Sequence, residues 1–191
     1  MRKITFDIET KNFFQEVGSN DPRDLDISVV CIHDSLDDTY TSFLQNDFNK
    51  LWPILEKSDM LITWNGDHFD IPLLNKYYPG DLTKIKSLDL MKEVQKTLGR
   101  RLKLDSVGEA TLGRRKSGNG IDAVEWWRKG EIDKIIKYCI EDVRLTKELY
   151  DFANTNGHLK FKDFGNLKEI PLNTSNWNLE ESKAMTFTLP F

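Results

Sequence analysis

Two acidic residues separated by one position, Asp7 and Glu9, lie near the start of the chain in the stretch FDIET. The pattern of residues 3–10 predicts a β-strand. Successive side chains of a strand alternate between its two faces. Both carboxylates would therefore lie on one face. A strand face that packs on a core is normally apolar, so two acids there suggest a function. A chain with 31 acidic residues also contains such pairs by composition alone, so this pair needs support from other residues.

A second acidic cluster follows the apolar run MLITW in the stretch NGDHFD, residues 65–70. The apolar run predicts a strand, and Phe69, Leu73 and Leu74 then recur at helical spacing. Asp67 and Asp70 would thus lie at a strand-to-helix junction. Carboxylates are favourable at a helix N-terminus, so capping alone could explain them.

A third signal is the stretch YCIED, in which Tyr138 and Asp142 are four residues apart within the longest predicted helix. Residues at this spacing lie one turn apart on one face, with side chains about 5–6 Å from each other. Taken singly, the tyrosine is better explained as a core ring and the aspartate as a surface acid.

The acidic signals together predict a metal site. Asp7, Glu9, Asp70 and Asp142 gathered in one cleft would repel one another strongly. Divalent cations relieve such repulsion, and carboxylate oxygens are the ligands that Mg²⁺ and Mn²⁺ prefer. Two such ions about 3.5–4 Å apart support in-line displacement at phosphorus. We therefore predict two divalent ions, Mg²⁺ or Mn²⁺, and phosphodiester hydrolysis.

The elements that must position these residues follow an α/β pattern. Three strands, a helix and a strand precede a mostly helical second half, which predicts a mixed β-sheet flanked by helices. We expect one domain over residues 1–155, followed by a hairpin and tail over residues 156–191. The predicted strands are 3–10, 27–33, 39–44, 60–64 and 85–88; the predicted helices are 46–57, 69–78, one from 89, one ending at 113, 123–129 and 131–154; a hairpin turns around 165–166.

The bulk composition is that of an ordinary globular protein, with 39% hydrophobic and 30% charged residues and a net charge of −4. No apolar run approaches the roughly 20 residues that span a bilayer. The sequence enters strand-like residues at once, without a signal-peptide pattern. Cys31 and Cys139 lie within predicted elements and read as reduced core thiols. We expect a cytoplasmic monomer without a membrane partner.

The motifs DIE, NGDHFD and YCIED resemble, in this order, the three exonuclease motifs of the DEDD superfamily, which has a ribonuclease H-like fold. The Tyr-x-x-x-Asp form of the third motif resembles the DEDDy subclass. The sister subclass has a histidine where this chain has Lys137. The similarity is greatest to stand-alone relatives of the proofreading domain of family B DNA polymerases. It covers about residues 3–153 and includes SLDL, LDSVGEATLG and GIDAVEWWRKG.

The resemblance implies a role for each acidic residue. Asp7 would bridge the two ions, and Glu9 and Asp142 would complete the ion that activates the nucleophile. Asp70 would belong to the metal site partly through water. Tyr138 would orient the attacking water, because a phenol with an unperturbed pKa near 10 is a poor base at neutral pH.

The resemblance also implies substrate contacts. Asn65 would hydrogen-bond near the terminal sugar-phosphate, and Phe69 would lie against a base or sugar at the 3′ end. Asp67 would be an exposed acid, and His68 a surface residue. Phosphates of the strand would be held by a basic stretch, with SGNG (residues 117–120) as a flap; its residues are Arg100, Arg101, Arg114, Arg115 and Lys116. A solvated helix face explains the same basic residues. Trp126 and Trp127 would be core and rim.

The implied activity is a 3′–5′ exonuclease that acts on single-stranded 3′ ends, with DNA favoured, and releases nucleoside 5′-monophosphates. An exoribonuclease, a structure-specific or endonucleolytic enzyme and a catalytically silent nucleic-acid-binding module are the alternatives. The final stretch MTFTLPF, with Leu189 and Phe191, resembles peptides that bind sliding clamps, but the expected glutamine is absent. A clamp or polymerase is therefore a predicted partner, against a terminal strand or disorder.

Overall fold

Within the residues that the computed structural model describes, 1–114 and 120–179, five strands form the main sheet. They are β1 (Lys3–Thr10), β2 (Ile27–Asp34), β3 (Thr39–Phe43), β4 (Met60–Thr63) and β5 (Ser87–Asp89). Their order across the sheet is β3-β2-β1-β4-β5. Strand β2 pairs antiparallel with both β1 and β3, whereas β4 pairs parallel with both β1 and β5. The predicted mixed sheet of the α/β class is confirmed.

Helices cover both faces of this sheet. They are α1 (Phe14–Val17), α2 (Phe48–Glu56), α3 (Asp70–Asn75), α4 (Leu90–Leu98), α5 (Leu104–Leu112), α6 (Gly120–Arg128) and α7 (Ile132–Asn156). Short 3₁₀ turns occupy Pro22–Asp24, Gln45–Asp47 and Leu82–Lys84, and a separate hairpin consists of β6 (His158–Asp163) and β7 (Asn166–Pro171). Within the described ranges, each helix is too short or too polar to cross a membrane.

Several predicted boundaries are wrong. The helix predicted over 69–78 ends at Asn75, after which the amides of Lys76 and Tyr77 make tighter turn bonds to the carbonyls of Leu73 and Leu74. The strand predicted over 85–88 is shifted to end at Asp89, which also caps α4. The hairpin turns at Phe164 and Gly165, one residue before the predicted turn, and both have positive φ.

Alternation along β1 places apolar core residues on one face of the strand and the acidic pair on the other. Ile4, Phe6 and Ile8 belong to a cluster that includes buried residues of α2 and α3. On the other face of the sheet, Cys139 of α7 packs in a cluster with Val29 of β2. That second face of β1 is the one that carries Asp7 and Glu9. The sheet therefore holds the acidic pair against α7 while its opposite face is filled by apolar side chains.

A third buried cluster contains residues of β4, β5, α4, α5, α7 and the small hairpin. Leu159 and Ile170 of the hairpin are fully buried in it, beside Leu149 of α7. The hairpin thus packs against the sheet-bearing part of the chain, whereas the division of the chain at residue 155 stays a prediction. Cys31 and Cys139 are buried free thiols, as expected.

Candidate metal centre and substrate cleft

Three of the predicted metal ligands come together. Asp7, Glu9 and Asp142 each offer one carboxylate oxygen, and these oxygens all lie within 4.8 Å of one another. Asp7 and Glu9 project from β1, and Asp142 projects from α7. The thiol of Cys139, about one turn before Asp142, donates to the backbone carbonyl of Asp7 at 3.3 Å. Helix α7 is therefore packed directly on the strand that carries the acidic pair.

Asp70, the fourth predicted ligand, lies beside this group at the start of α3, with only 4% of its surface exposed. The pairing of β1 with β4 ends at Thr5 and Ile62. Further along β1, the amide of Ile8 hydrogen-bonds to the Asp70 carboxylate, as does the amide of Asp70 itself. The pKa of Asp70 is raised to about 8, chiefly by burial; the nearby charges of Asp89 and Asp142 also raise it, and the two amide hydrogen bonds lower it.

The donor set of the centre suits a hard divalent cation. All three clustered ligand atoms are carboxylate oxygens, and Glu9 and Asp142 are buried. Buried anions so close together repel one another unless a cation lies between them. Oxygen-only donors fit Mg²⁺ or Mn²⁺ better than the softer metals that prefer sulfur and nitrogen. Asp70, held against Ile8 by its hydrogen bond, is not among the three clustered ligand residues, and its role as a fourth ligand stays a prediction.

A cleft of about 600 Å³ opens beside the acidic residues, and both Asp7 and Asp142 line it. The predicted substrate residues Asn65, Phe69 and Arg101 also line it. Gly120, the last residue of the predicted flap, lines it as well. Sequence reasoning did not assign the other described lining residues to the cleft; these are Phe14, Asn20, Trp64, His68, Met91, Leu102, Lys103, Leu104 and Asp105. Members of the acidic cluster and three of the predicted substrate residues therefore share one cleft.

Asn65 has a left-handed backbone conformation, with φ of 72°. The carboxylate of Asp89 holds this turn, because its Oδ1 accepts the amide of Asn65 at 2.8 Å and its Oδ2 accepts the amide of Asp67 at 3.3 Å. Oδ1 also accepts the amide of Met91 at 3.0 Å, at the start of α4. Burial raises the pKa of Asp89. Sequence analysis missed this residue, although an aspartate directly before a helix is a recognisable cap.

Asp67 itself was expected to be an exposed acid, and this expectation is wrong. Its side chain is only 23% exposed, and it accepts an ion-pair bond from Lys92 at 2.6 Å. The hydroxyl of Ser87 donates to it at 2.5 Å. Asp67 therefore ties the Asn65 turn to the edge strand β5. His68 is exposed, as predicted.

Phe69 lies against a second ring. The centroids of Phe14 and Phe69 are 6.1 Å apart, with the rings at 84° in an edge-to-face arrangement. Phe14 belongs to α1, whose four residues give no periodic pattern from which a role could be predicted. The two rings form an apolar part of the cleft wall.

The predicted basic residues separate into two groups. Arg101 lines the cleft and donates a hydrogen bond to Oδ1 of Asn65. Arg100 instead pairs with Asp163 at 3.6 Å, and Arg114 pairs with Glu148 at 2.7 Å. Arg115, Lys116 and residues 117–119 of the predicted flap lie outside the described residues, as do Leu189 and Phe191 of the tail.

Tyr138 is buried, one turn before Asp142 on α7. Its ring makes an edge-to-face contact with Trp126 of α6, at 5.9 Å between centroids. Tyr138 is not among the described residues that line the cleft. Its role in orienting water stays a prediction. Trp126 and Trp127 are partly buried against the same cluster, as expected for core and rim.

Comparison with known proteins places these features in a wider group. A family model described as the RNase H superfamily matches residues 4–154. A DNA polymerase of Thermococcus aggregans is 32% identical over 121 residues, covering 48% of this chain and 7% of that protein. A DNA polymerase of Thermococcus litoralis is 31% identical, with the same coverage. The match thus spans less than a tenth of the length of these relatives.

Among solved structures, the family B DNA polymerase of the archaeon Pyrobaculum calidifontis superimposes with a TM-score of 0.62. The two sequences are 19% identical, and the match covers 80% of this chain and 24% of the polymerase. At this identity the likeness establishes a shared fold. The predicted resemblance to a ribonuclease H-like domain related to family B polymerases is confirmed.

Proposed function

The chain belongs to the RNase H superfamily, and on that premise we propose that it is a metal-dependent 3′–5′ exonuclease. Superfamily membership and likeness to DNA polymerases support a nuclease-type hydrolase. The direction of cleavage, the single-stranded 3′ end, the preference for DNA and the release of nucleoside 5′-monophosphates are our proposal. One observation carries it: oxygens of Asp7, Glu9 and Asp142 lie within 4.8 Å of one another at the wall of an open cleft.

Asp7, Glu9 and Asp142 would hold the divalent cations, with Asp70 at the edge of the same site. Bound there, the cations would supply an activated water and neutralise charge on the scissile phosphate. Asp70 would release its proton on cation binding, because a nearby positive charge favours the ionised carboxylate over the neutral form. Its hydrogen bond from Ile8 keeps the ionised oxygen aligned with β1.

The cleft wall would hold the terminal nucleotide. Phe69, supported by Phe14, offers a ring on which a base or sugar can pack, and every base has a π-face for such contact. Arg101 would attract the phosphate next to the reacting bond. Asn65 is held in its left-handed turn by Asp89 and lines the cleft, where its side chain, which accepts from Arg101, would contact the terminal sugar-phosphate.

The proposal is tested with matched DNA and RNA oligonucleotides labelled at the 5′ end, incubated with Mg²⁺, Mn²⁺ or EDTA. We expect a metal-dependent ladder that shortens from the 3′ end, faster for DNA. Asp142→Asn should abolish the ladder without changing the circular dichroism spectrum. Asp133→Asn is the matched control, because Asp133 is an acid on the same helix, in its first turn and away from the cleft.

Unchanged cleavage by Asp142→Asn would contradict the metal centre, and internal cuts would contradict the exonuclease. Faster loss of the RNA would favour the exoribonuclease. Retained oligonucleotide binding without any cleavage would indicate a silent binding module of the same fold. A role for the tail residues Leu189 and Phe191 with a clamp or polymerase remains a separate proposal, tested by deleting the last six residues and measuring clamp pull-down.

A further inference from the structure

The tip of the small hairpin combines exposure with backbone strain. Phe164 is 99% exposed, although it is a large apolar ring. Its φ is 47°, and that of Gly165 is 83°, so both turn residues are left-handed. Two-residue turns of this kind favour Asn-Gly, because glycine has no Cβ and the short polar side chain of asparagine tolerates positive φ, whereas a bulky ring is disfavoured there. Phe164 therefore gains no burial and costs the fold backbone strain.

The hairpin runs antiparallel to α5, which fixes where its tip lies. Thr111, near the end of α5, exchanges hydrogen bonds with the backbone of Lys160 at 2.9 and 3.2 Å. Glu109, earlier in α5, pairs with Lys162 at 2.8 Å. Residues closer to the start of α5 thus contact residues of β6 that are closer to the tip. The tip lies toward the N-terminal end of α5.

That end of α5 borders the substrate cleft, since Lys103, Leu104 and Asp105 line it. A direct link confirms the proximity. Arg100 pairs with Asp163, the residue before Phe164, while its neighbour Arg101 reaches Asn65 inside the cleft. Two arginine side chains and one peptide step thus connect the tip to the cleft.

The surface between cleft and tip is locally basic on a chain whose net charge is −4. Its cationic side chains are Arg100, Arg101, Lys103, Lys162 and Lys168, and its acidic ones are Asp105, Glu109 and Asp163. An excess of positive charge next to an exposed ring is the combination with which proteins bind single-stranded nucleic acid. The positive charges would contribute less to binding a protein partner than to binding a strand of phosphates.

We propose that Phe164 is a second binding site for nucleic acid, on which an unpaired base stacks upstream of the 3′ end held in the cleft. This inference rests on the proposed function, because it takes the strand in the cleft to be nucleic acid. Stacking on an exposed aromatic ring tolerates any base. The hairpin, whose apolar residues Leu159 and Ile170 are buried, presents the ring without rearrangement.

The test compares wild type with Phe164→Asn on a dinucleotide and on a 12-nucleotide single strand. Only the longer strand reaches from the cleft to the tip. We expect binding of the 12-mer in EDTA, measured by fluorescence anisotropy, to weaken about 5- to 100-fold. Hydrolysis of the dinucleotide in Mg²⁺ should be unchanged. The melting temperature should rise by about 2–4 °C, because asparagine tolerates the left-handed turn.

Two further variants control the measurement. Phe164→Trp should retain binding, because it keeps an aromatic face. Leu36→Asn should leave binding unchanged, since Leu36 is a 72% exposed apolar residue in the turn between β2 and β3. A rise in stability together with a loss of long-strand binding would not arise from a purely structural role.

Equal binding of the 12-mer by wild type and Phe164→Asn would overturn the inference and point to a protein partner for the tip. Loss of dinucleotide hydrolysis in the variant would overturn it too, because the cleft itself would then be disturbed. If wild type binds the 12-mer but does not cleave it, the proposed exonuclease fails; weaker binding by Phe164→Asn would still support the stacking site. No binding or cleavage by wild type would contradict both.

Discussion

Replacing Asp70 by asparagine should change how the stability of the metal-free protein depends on pH. Asp70 has a pKa of about 8 in the folded protein, mainly because it is buried, and a carboxyl in the unfolded chain has a pKa near 3.9. Between these values the folded state holds a proton that the unfolded state has released. The stability from this proton is complete below about pH 4 and is lost as pH rises toward 8.

The expected size of the effect follows from that interval. Each pH unit between the two pKa values lowers the free energy of unfolding by at most about 1.4 kcal/mol. From about pH 5 to about pH 8, wild type should therefore lose roughly 3–4 kcal/mol through Asp70 alone. The asparagine side chain has no such proton, so the Asp70→Asn variant gains on wild type by that amount over the interval. The packing cost of the amide does not depend on pH and cancels in this comparison.

The assay is urea unfolding in EDTA, followed by tryptophan fluorescence at several pH values. Asp24→Asn, which replaces an exposed acid, is the control and should follow wild type in parallel. Adding Mg²⁺ or Mn²⁺ at pH 8 should stabilise wild type more than Asp70→Asn, because the ionised carboxylate favours the cation. Parallel pH profiles for wild type and Asp70→Asn would refute the link between burial of Asp70 and its charge state.

Other substitutions probe the cleft and its supports. Arg101→Ala should raise KM and reduce the salt dependence of binding by about one phosphate contact, measured by titration at several salt concentrations, whereas Arg114→Ala should not. Asp89→Asn should cost about 1–3 kcal/mol of unfolding free energy and raise KM, because it weakens two turn contacts; a change in neither would contradict its role. Gly66→Ala should cost about 1–3 kcal/mol in urea unfolding, because its Cβ would lie 2.4 Å from Cβ of Thr63; stability equal to wild type would disprove the clash.

The sequence predicted most of the fold because its elements carry strong local patterns. Alternation placed Asp7 and Glu9 on one face of β1, and helical periodicity placed Asp142 on α7. Motif order then associated positions that are far apart in the chain. The structure brings the oxygens of these three residues together, although their roles as ligands stay predictions.

What the sequence could not give depends on contacts between elements. Arg100 and Arg101 are adjacent and chemically identical, yet one faces Asp163 and the other faces Asn65. They lie between α4 and α5, where no periodicity fixes the direction of a side chain. The second role of Asp89 arises only because β4 and β5 pair in parallel, which brings the Asn65 turn next to the start of α4.

Tyr138 shows the same limit within a helix. Its spacing correctly predicted the same helix as Asp142, one turn away. Trp126, which makes an edge-to-face contact with the ring, belongs to a different helix, α6. Helical spacing describes which face a residue occupies, but it does not describe what packs on that face.

The positions of the acidic residues along the chain have a consequence for folding during synthesis. The thiol that joins α7 to Asp7 comes 132 residues later in the chain, and Asp142 comes later still. Strands β1 to β3 pair locally and can form early during synthesis, whereas bringing α7 onto β1 closes a long loop. A nascent chain would therefore carry Asp7 and Glu9 before Asp142, the third member of the acidic cluster, exists. Metal-dependent cleavage should be acquired last, so its recovery on refolding would report the docking of α7.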